Sequence, residues 1–545
     1  MRAKQDVRPT SPTPGSEPAA AASHGSGPGW PIVVLLFVSL LGVYHANSAL
    51  THINDITPNV ATAISLVDEG NPTFTPDEFP RLFLWSFDIG GRSEPITLSS
   101  WQQLVNGVPA GERFAKGEIS FSGHPYHLIA SIREGEYVSR YGLGAAITAL
   151  PVFAVLDAIV GDLQSHWLLS LYAGKFVAAC CVAGSAVFIL LIASIYLPRS
   201  RALLVALTYG LGSSVWSTSS QGLWQHGPAE LYLAMACWLF IRGRVGTRDA
   251  AICGLAVAMA TLCRPTSAAL ALALGAALLV SRDYRRLVAF VAAGSVIGLV
   301  AMAHNFVHSG SILGFAQSME AADYALSKTG VASAWQFNIA QNAAGLLFSP
   351  SRGLFVFSPV MLFAVAGLVP AWRDPRYLAL RPISLALALT LSIQLCWFDW
   401  WGGWSYGYRI LVDAMVYLVL FLIPFMGWIW ARRSAVACFH LALAWSIFVQ
   451  ALGAFAANGW SWNNRTVYRL EVDGRVQGFY DAARAKSLLD TGRATFIDQK
   501  ECSVDLPECR NRLWSIRDNQ IGYYVEHYRE EREQKRSVSA FKRSL

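Results

Sequence analysis

Charge is what this sequence has little of. Only 14% of its 545 residues are Asp, Glu, Lys or Arg, against about 25% in a soluble domain. That scarcity excludes an ordinary soluble globular protein. The net charge of +7 is then no sign of nucleic-acid binding, because basic residues in a membrane protein are placed by topology. Cysteine is also sparse. Seven of the nine lie in apolar runs, where they act as small apolar residues. The run from Trp30 to about Leu50 is not followed by a clean small-x-small cleavage site, so it reads as an anchor and not a removed signal. Internal repeats and charges through the middle of the apolar runs are missing too, which counts against a transporter.

Apolar residues, in contrast, make up 54% of the chain. Runs near 20 residues recur, each long enough to cross a hydrocarbon core of about 30 Å. The fold class that follows is an all-α polytopic membrane protein. Residues 1–29, rich in Pro, Ser, Gly and Ala, read as a disordered cytoplasmic N-terminus. Six short basic loops separate the runs: Arg2/Lys4/Arg8, Arg199/Arg201, Arg242/Arg244/Arg248, Arg282/Arg285/Arg286, Arg373/Arg376/Arg381 and Arg432/Arg433. Placing all six inside requires an even number of crossings between neighbours. The spans are then 31–50, 172–197, 202–217, 226–242, 249–263, 266–281, 287–305, 353–372, 382–398, 410–430 and 434–455, which makes 11. The transmembrane domain is 30–455. A large first external loop covers 51–166, and an external C-terminal domain of mixed structure covers 456–545. The apolar stretch 141–160 would invert every later loop if it crossed. It reads as an interfacial or re-entrant helix on the outer face.

Ionisable and aromatic residues collect at the outer ends of these runs. Asp55 follows the first span, near the membrane surface and within reach of water, where a general base would meet a lipid-borne donor; the plain alternative is a capping or solvated charge. Thr57–Pro58 reads as the start of a short interfacial helix, with Thr57 as cap and Ile56, Val60, Ile64 and Val67 on one face. Asp68 and Glu69 end it. Lys175 either snorkels to headgroups or binds a lipid phosphate. His226 and Glu230 share a helix face and admit a divalent metal or an acceptor, although one His and one Glu are a weak metal signal. No other cofactor follows from the sequence. Arg264, before Pro265, and Arg352, in the turn "SPSRG", suit a phosphate or a headgroup anchor, with His304 and Asn305 at the far end of the loop 306–352. The segment 396–414, "CWFDWWGGWSYGYRILVDA", gathers Asp399, Trp401, Trp404, Tyr406 and Arg409 around Gly402, Gly403 and Gly407. An aromatic belt accounts for the rings. Sugar stacking with phosphate contact accounts for the glycines and the Asp–Arg pair as well. Cys502 and Cys509, in "CSVDLPEC", are expected to pair in an oxidising outer compartment; two free thiols are the alternative.

The chain resembles the GT-C superfamily of membrane glycosyltransferases, in particular the branch of protein O-mannosyltransferases and lipid A aminoarabinose transferases. The likeness rests on one span followed by Asp55, the long outer loop, "SRYGLGAAITALPVFAV", "LCRPTSAALALAL" and "LLFSPSRGLFVFSP" followed by "WWGGWSYGYRIL". It covers about residues 31–430. It implies that Asp55 is the general base or orients the acceptor. It also implies transfer of a sugar from a polyprenyl phosphate, usually with inversion, outside the bacterial cytoplasmic membrane. "SRYGLG" stands where relatives commonly carry a Tyr-Pro-Pro-Gly turn, and a second acidic position is filled by Asp68 or Glu69 at most. The partners expected are a polyprenyl-phosphate sugar, a lipid, glycan or protein acceptor, and membrane lipids. The alternatives are a flippase for a lipid-linked sugar and a non-catalytic membrane scaffold.

Overall fold

A computed structural model describes residues 28–541 apart from 51–54, 80–81, 84–85, 90–91, 96–103, 106–107, 110–127, 243–245, 315–320, 460, 473–474 and 481. The expected disorder of 1–29 and much of the loop 51–166 therefore fall outside the described residues.

The chain is mainly helical. In chain order the principal helices are α1 (Trp30–His45), α2 (Ile56–Asp68), α3 (Gly144–Val160), α4 (Trp167–Tyr196), α5 (Arg199–Gly212), α6 (His226–Ile241), α7 (Thr247–Cys263), α8 (Ala268–Val280) and α9 (Tyr284–Ser309). They continue with α10 (Ala321–Thr329), α11 (Ile339–Phe348), α12 (Met361–Arg373), α13 (Arg381–Cys396), α14 (Leu422–Trp430) and α15 (Arg433–Ala456). Among the described residues, four helical stretches are long and apolar enough to cross a membrane: Trp167–Tyr196, Tyr284–Ser309, Pro375–Cys396 and Arg433–Ala456. At 1.5 Å per residue, α4 is about 45 Å long, and it runs through the centre of the bundle. α9 lies at the edge and turns Val288, Val291, Val296 and Leu299 outward.

Three expected spans are interrupted, the first being 202–217, which breaks at the extended Ser213 between α5 and a single turn Ser214–Ser217. The stretch 410–430 passes through a 3-10 turn Arg409–Leu411, a short helix Ala414–Leu418 and a second 3-10 turn Val419–Phe421 before α14. Pro424 has no N–H for the carbonyl of Leu420, and its ring crowds that carbonyl, so the break falls one turn upstream of it. Likewise Pro359 separates a single turn, Leu354–Phe357, from α12.

α2 also departs from expectation. Its N-cap position is Asp55, not Thr57. Pro58 sits inside the first turn, where its missing N–H costs nothing. Ile56, Val60 and Ile64 are buried as expected, but so are Asn59, Thr62 and Ser65. The helix is enclosed by protein instead of lying on a surface. Its polar face is satisfied locally: Asn59 Nδ2 donates to Leu223 O at 2.9 Å, Thr62 Oγ1 to Pro58 O at 2.7 Å and Ser65 Oγ to Asn71 O at 2.8 Å.

The basic segments around Arg201, Arg376 and Arg432 meet at one end of the bundle. Tyr196 and Tyr377 have ring centroids 5.5 Å apart, and Arg201 lies 5.3 Å from the Trp430 ring. Arg242, Arg381 and Arg432 stack on Trp238, Trp372 and Trp428 in turn. A guanidinium over an indole is worth about 0.5–1 kcal/mol at an exposed site.

The opposite end carries two three-stranded antiparallel sheets. The first is built from β1 (Thr73–Phe74), β2 (Leu128–Ala130) and β3 (Tyr137–Ser139), in the order β1-β3-β2. The second belongs to the C-terminal region. It consists of β4 (Asn464–Val472), β5 (Arg475–Tyr480) and β6 (Ala494–Ser503), in the order β6-β4-β5, with Cys502 opposite Arg465. Helices α16 (Ala482–Asp490), α17 (Gln520–Glu526) and α18 (Tyr528–Phe541) complete it. Cys502 and Cys509 form a disulfide, Cα–Cα 5.6 Å.

Candidate active site

Asp55 and Arg409 are 354 residues apart in sequence and touch. Arg409 Nη1 donates to Asp55 Oδ2 at 2.7 Å. The hydroxyl of Tyr141 donates to the same carboxylate. Burial first, then the Asp55 charge, raises the Tyr141 pKa well above its ordinary value, so the phenol stays a donor. For Arg409, burial is the largest single effect and would lower the pKa, but Asp55, Tyr141 and Asp399 together outweigh it and the net shift is upward. The guanidinium also lies over Trp224, 4.8 Å from the ring centroid.

Chain geometry explains this meeting. Tyr141 belongs to "SRYGLG", just ahead of α3. A Cβ on Gly142 would sit 2.2 Å from Leu262 O, and one on Gly144 would sit 2.4 Å from Cys263 N. Only glycines let this turn press against the end of α7, where Arg264 follows. Arg409 ends a loop in which Gly402, Gly403 and Gly407 all have positive φ, at +72°, +60° and +61°, a conformation costly for other residues.

Next to the ion pair lies a second polar group. Arg264 Nε donates to Asp413 Oδ2 at 2.8 Å. His226 Nδ1 lies 2.9 Å from Asp413 Oδ1. Arg264 Nη1 lies 2.8 Å from His226 Nδ1 and 3.0 Å from Nε2, and the tautomer of the ring decides which nitrogen accepts. Trp224 joins the two groups, since its ring is 6.1 Å from that of His226. Glu230, one turn into α6, is turned away. It accepts from Ser219 Oγ at 2.6 Å and Tyr209 Oη at 3.3 Å. The pairing of His226 with Glu230 for a metal is thus not made. Among the described residues no three His, Cys, Asp or Glu side chains gather as a metal site.

The remaining expected residues serve the loop and the bundle. Arg352 is buried, and its guanidinium is taken up by Trp401 O, Ser351 O, Gly403 O and Asn463 Oδ1, at 2.7–3.1 Å. Asp399 Oδ1 accepts from the N–H groups of Gly402 and Gly403 at 2.8 and 3.3 Å. Burial, then the neighbouring Asp505 carboxylate, raises the Asp399 pKa to about 6. Trp401 and Tyr406 are buried and offer no open face for a sugar in this structure. Trp401 Nε1 donates to Asp505 Oδ1 at 2.9 Å, Trp404 Nε1 to Ser503 Oγ at 2.8 Å and Tyr406 Oη to Val449 O at 2.9 Å. Ser503 and Asp505 lie inside the disulfide loop, so the C-terminal region grips the segment that carries Arg409.

Lys175 is buried in α4 and donates to Asn47 Oδ1 at 2.7 Å and to Ala49 O. Asn47 Nδ2 donates in turn to Gln221 Oε1 and Ala454 O, both at 2.7 Å. This knot ties the end of α1 to α4 and to the end of α15. His304 and Asn305 lie elsewhere, on α9. His304 packs on His308, with ring centroids 4.7 Å apart, and His308 meets Ser131 at 3.2 Å.

Sequence reasoning did not single out Tyr141, Trp224 or Asp413. Asp413 had a usable signal, a lone carboxylate entering an apolar run. Compared with models of known families and with characterised proteins, the chain matches none.

Proposed function

We propose that the protein is a GT-C-like glycosyltransferase that moves a sugar from a polyprenyl-phosphate donor to a lipid, glycan or protein acceptor on the outer face of the cytoplasmic membrane. The observation that carries the reading is the Asp55–Arg409 ion pair, beside Arg264 and at the end of the bundle opposite the basic loops. Asp55 takes the proton of an acceptor hydroxyl. The acceptor oxygen bonds to the anomeric carbon as the bond from that carbon to the phosphate oxygen breaks. The electron pair leaves on polyprenyl phosphate, whose charge Arg409 and Arg264 stabilise. One displacement inverts the anomeric centre.

The test uses purified full-length protein, a radiolabelled polyprenyl-phosphate sugar and a membrane extract as acceptor. Asp55→Asn keeps size and removes the base, so transfer falls to background. Arg409→Ala slows transfer and weakens donor binding. Full transfer by correctly folded Asp55→Asn refutes the assignment. A flippase would show no glycosyl transfer in the parent protein either.

A further inference from the structure

The two loop arginines are held in opposite ways. Arg352 makes four hydrogen bonds to loop oxygens. Among the described residues, Arg409 makes one side-chain bond, to Asp55, and otherwise rests on the face of Trp224. A guanidinium has five N–H donors, so Arg409 has donors to spare. The segment that carries Trp224 holds further unmatched donors. Trp224 Nε1 and Gln225 Nε2 are buried, at 3% and 7% exposure for their residues, and neither has a partner. Ser267 Oγ, three residues after Arg264, is a third unmatched buried group. Buried donors without acceptors cost about 1–3 kcal/mol each. A ligand rich in acceptor oxygens relieves that cost.

Against this surplus of donors, the acceptor held by Arg409 is the Asp55 carboxylate. A carboxylate and a phosphate compete for one guanidinium, because both present paired oxygens to its fork. A carboxylate that accepts from Arg409 and Tyr141 is also a poor base, since both bonds favour its ionised form. Resting on the reading above, we propose that Asp55 occupies the place of a ligand phosphate on Arg409, and that the phosphate group of an arriving polyprenyl-phosphate ligand displaces it. The displaced carboxylate is then released for acceptor chemistry. Binding is therefore ordered, with the phosphate ligand first and the acceptor second. An acceptor hydroxyl meeting the resting site finds its base already engaged.

The consequence runs against the usual effect of removing a charged site residue. Taking away Asp55 strengthens binding of the phosphate ligand. A partly exposed pair is worth up to about 1 kcal/mol and a tenfold change is 1.4 kcal/mol, so the tightening is up to about fivefold. The experiment measures the Kd of polyprenyl phosphate, without sugar, for the full-length protein in nanodiscs. Parent, Asp55→Asn, Arg409→Ala and the double variant are compared. Asp55→Asn tightens binding in the parent background and has no effect in the Arg409→Ala background. Asp55→Ala gives a second reading if the Asn variant folds poorly.

Unchanged or weaker binding by folded Asp55→Asn or Asp55→Ala, with weaker binding by Arg409→Ala, overturns the displacement while leaving the transferase reading intact. Transfer retained by Asp55→Asn overturns the transferase reading instead. Inorganic phosphate in excess separates the sources of the anion. Retention of the lipid against it supports a membrane-borne ligand, and displacement by micromolar inorganic phosphate overturns that source.

Discussion

Breaking the Cys502–Cys509 disulfide tests whether the C-terminal region sets the shape of the loop that ends in Arg409. The bridge closes a ring with a sequence separation of seven. In the chain-entropy account, a ring of that size contributes about 2.5 kcal/mol. Inside the ring, Ser503 and Asp505 accept the indole N–H groups of Trp404 and Trp401. Just beyond it, the Arg510 guanidinium lies 4.0 Å over the Trp401 ring. Each hydrogen bond adds about 1 kcal/mol net. In the Cys502→Ser/Cys509→Ser variant the ring opens more readily, and both indole bonds go with it. At 1.4 kcal/mol per tenfold, the ring term alone makes local opening roughly 60-fold more frequent. Hydrogen exchange read on peptides spanning 397–409 reports that opening directly. The expected result is faster exchange across 397–409, with α4 and α15 unchanged. Unchanged exchange in 397–409, with the bridge verifiably absent, refutes the claim that the tail holds the loop.

Three further outcomes are expected. Gly407→Ala meets both a positive φ and a Cβ 2.9 Å from the Phe357 ring, so thermal unfolding should show a loss of about 2–4 kcal/mol; a loss below about 0.5 kcal/mol removes the steric argument. Asp399 has a folded pKa raised to about 6, above an unfolded value of about 3.9, so keeping it ionised costs stability above pH 6 and nothing below about pH 4. Asp399→Asn should then be more stable than the parent at pH 8 and equal to it near pH 4, as read by thermal unfolding; equal stabilities at pH 8 contradict this. On a background without Cys438, cysteines placed at Glu134 and Glu508 should react with an impermeant thiol reagent from outside intact cells, and one at Arg285 should not; labelling at Arg285 reverses the proposed orientation.

What the sequence made legible was hydropathy and residue type. α4, α9, α13 and α15 announce themselves because a long apolar run in a charge-poor chain has few other uses. The broken passage 410–430 was less legible, although Pro424 marks it, because hydropathy averages over a break. At the site, Asp55 and Arg409 were visible as singular charges, but their contact depends on how some 350 intervening residues fold. Arg352 and Arg409 look alike in sequence, each a cation in a Gly- and Ser-containing turn. Only the oxygens around them distinguish a strut from a group with donors to spare. Trp401 and Tyr406 looked like stacking platforms for the same reason. Their burial follows from Asp505 and Val449, which no local pattern links to them.

The knot around Lys175 bears on how the protein is assembled. Asn47, which holds the lysine, also donates to Ala454, 407 residues later. At 5–20 residues per second, a ribosome needs about 20–80 s to travel between them. From the completion of α4 until Ala454 is made, Lys175 and Asn47 have only part of their final surroundings. The helices made in between leave that flank of the bundle open until α15 arrives. Closure of the bundle is thereby tied to completion of its last helix, and nascent chains that stall before residue 454 are left with that flank unsealed and recognisable to quality control.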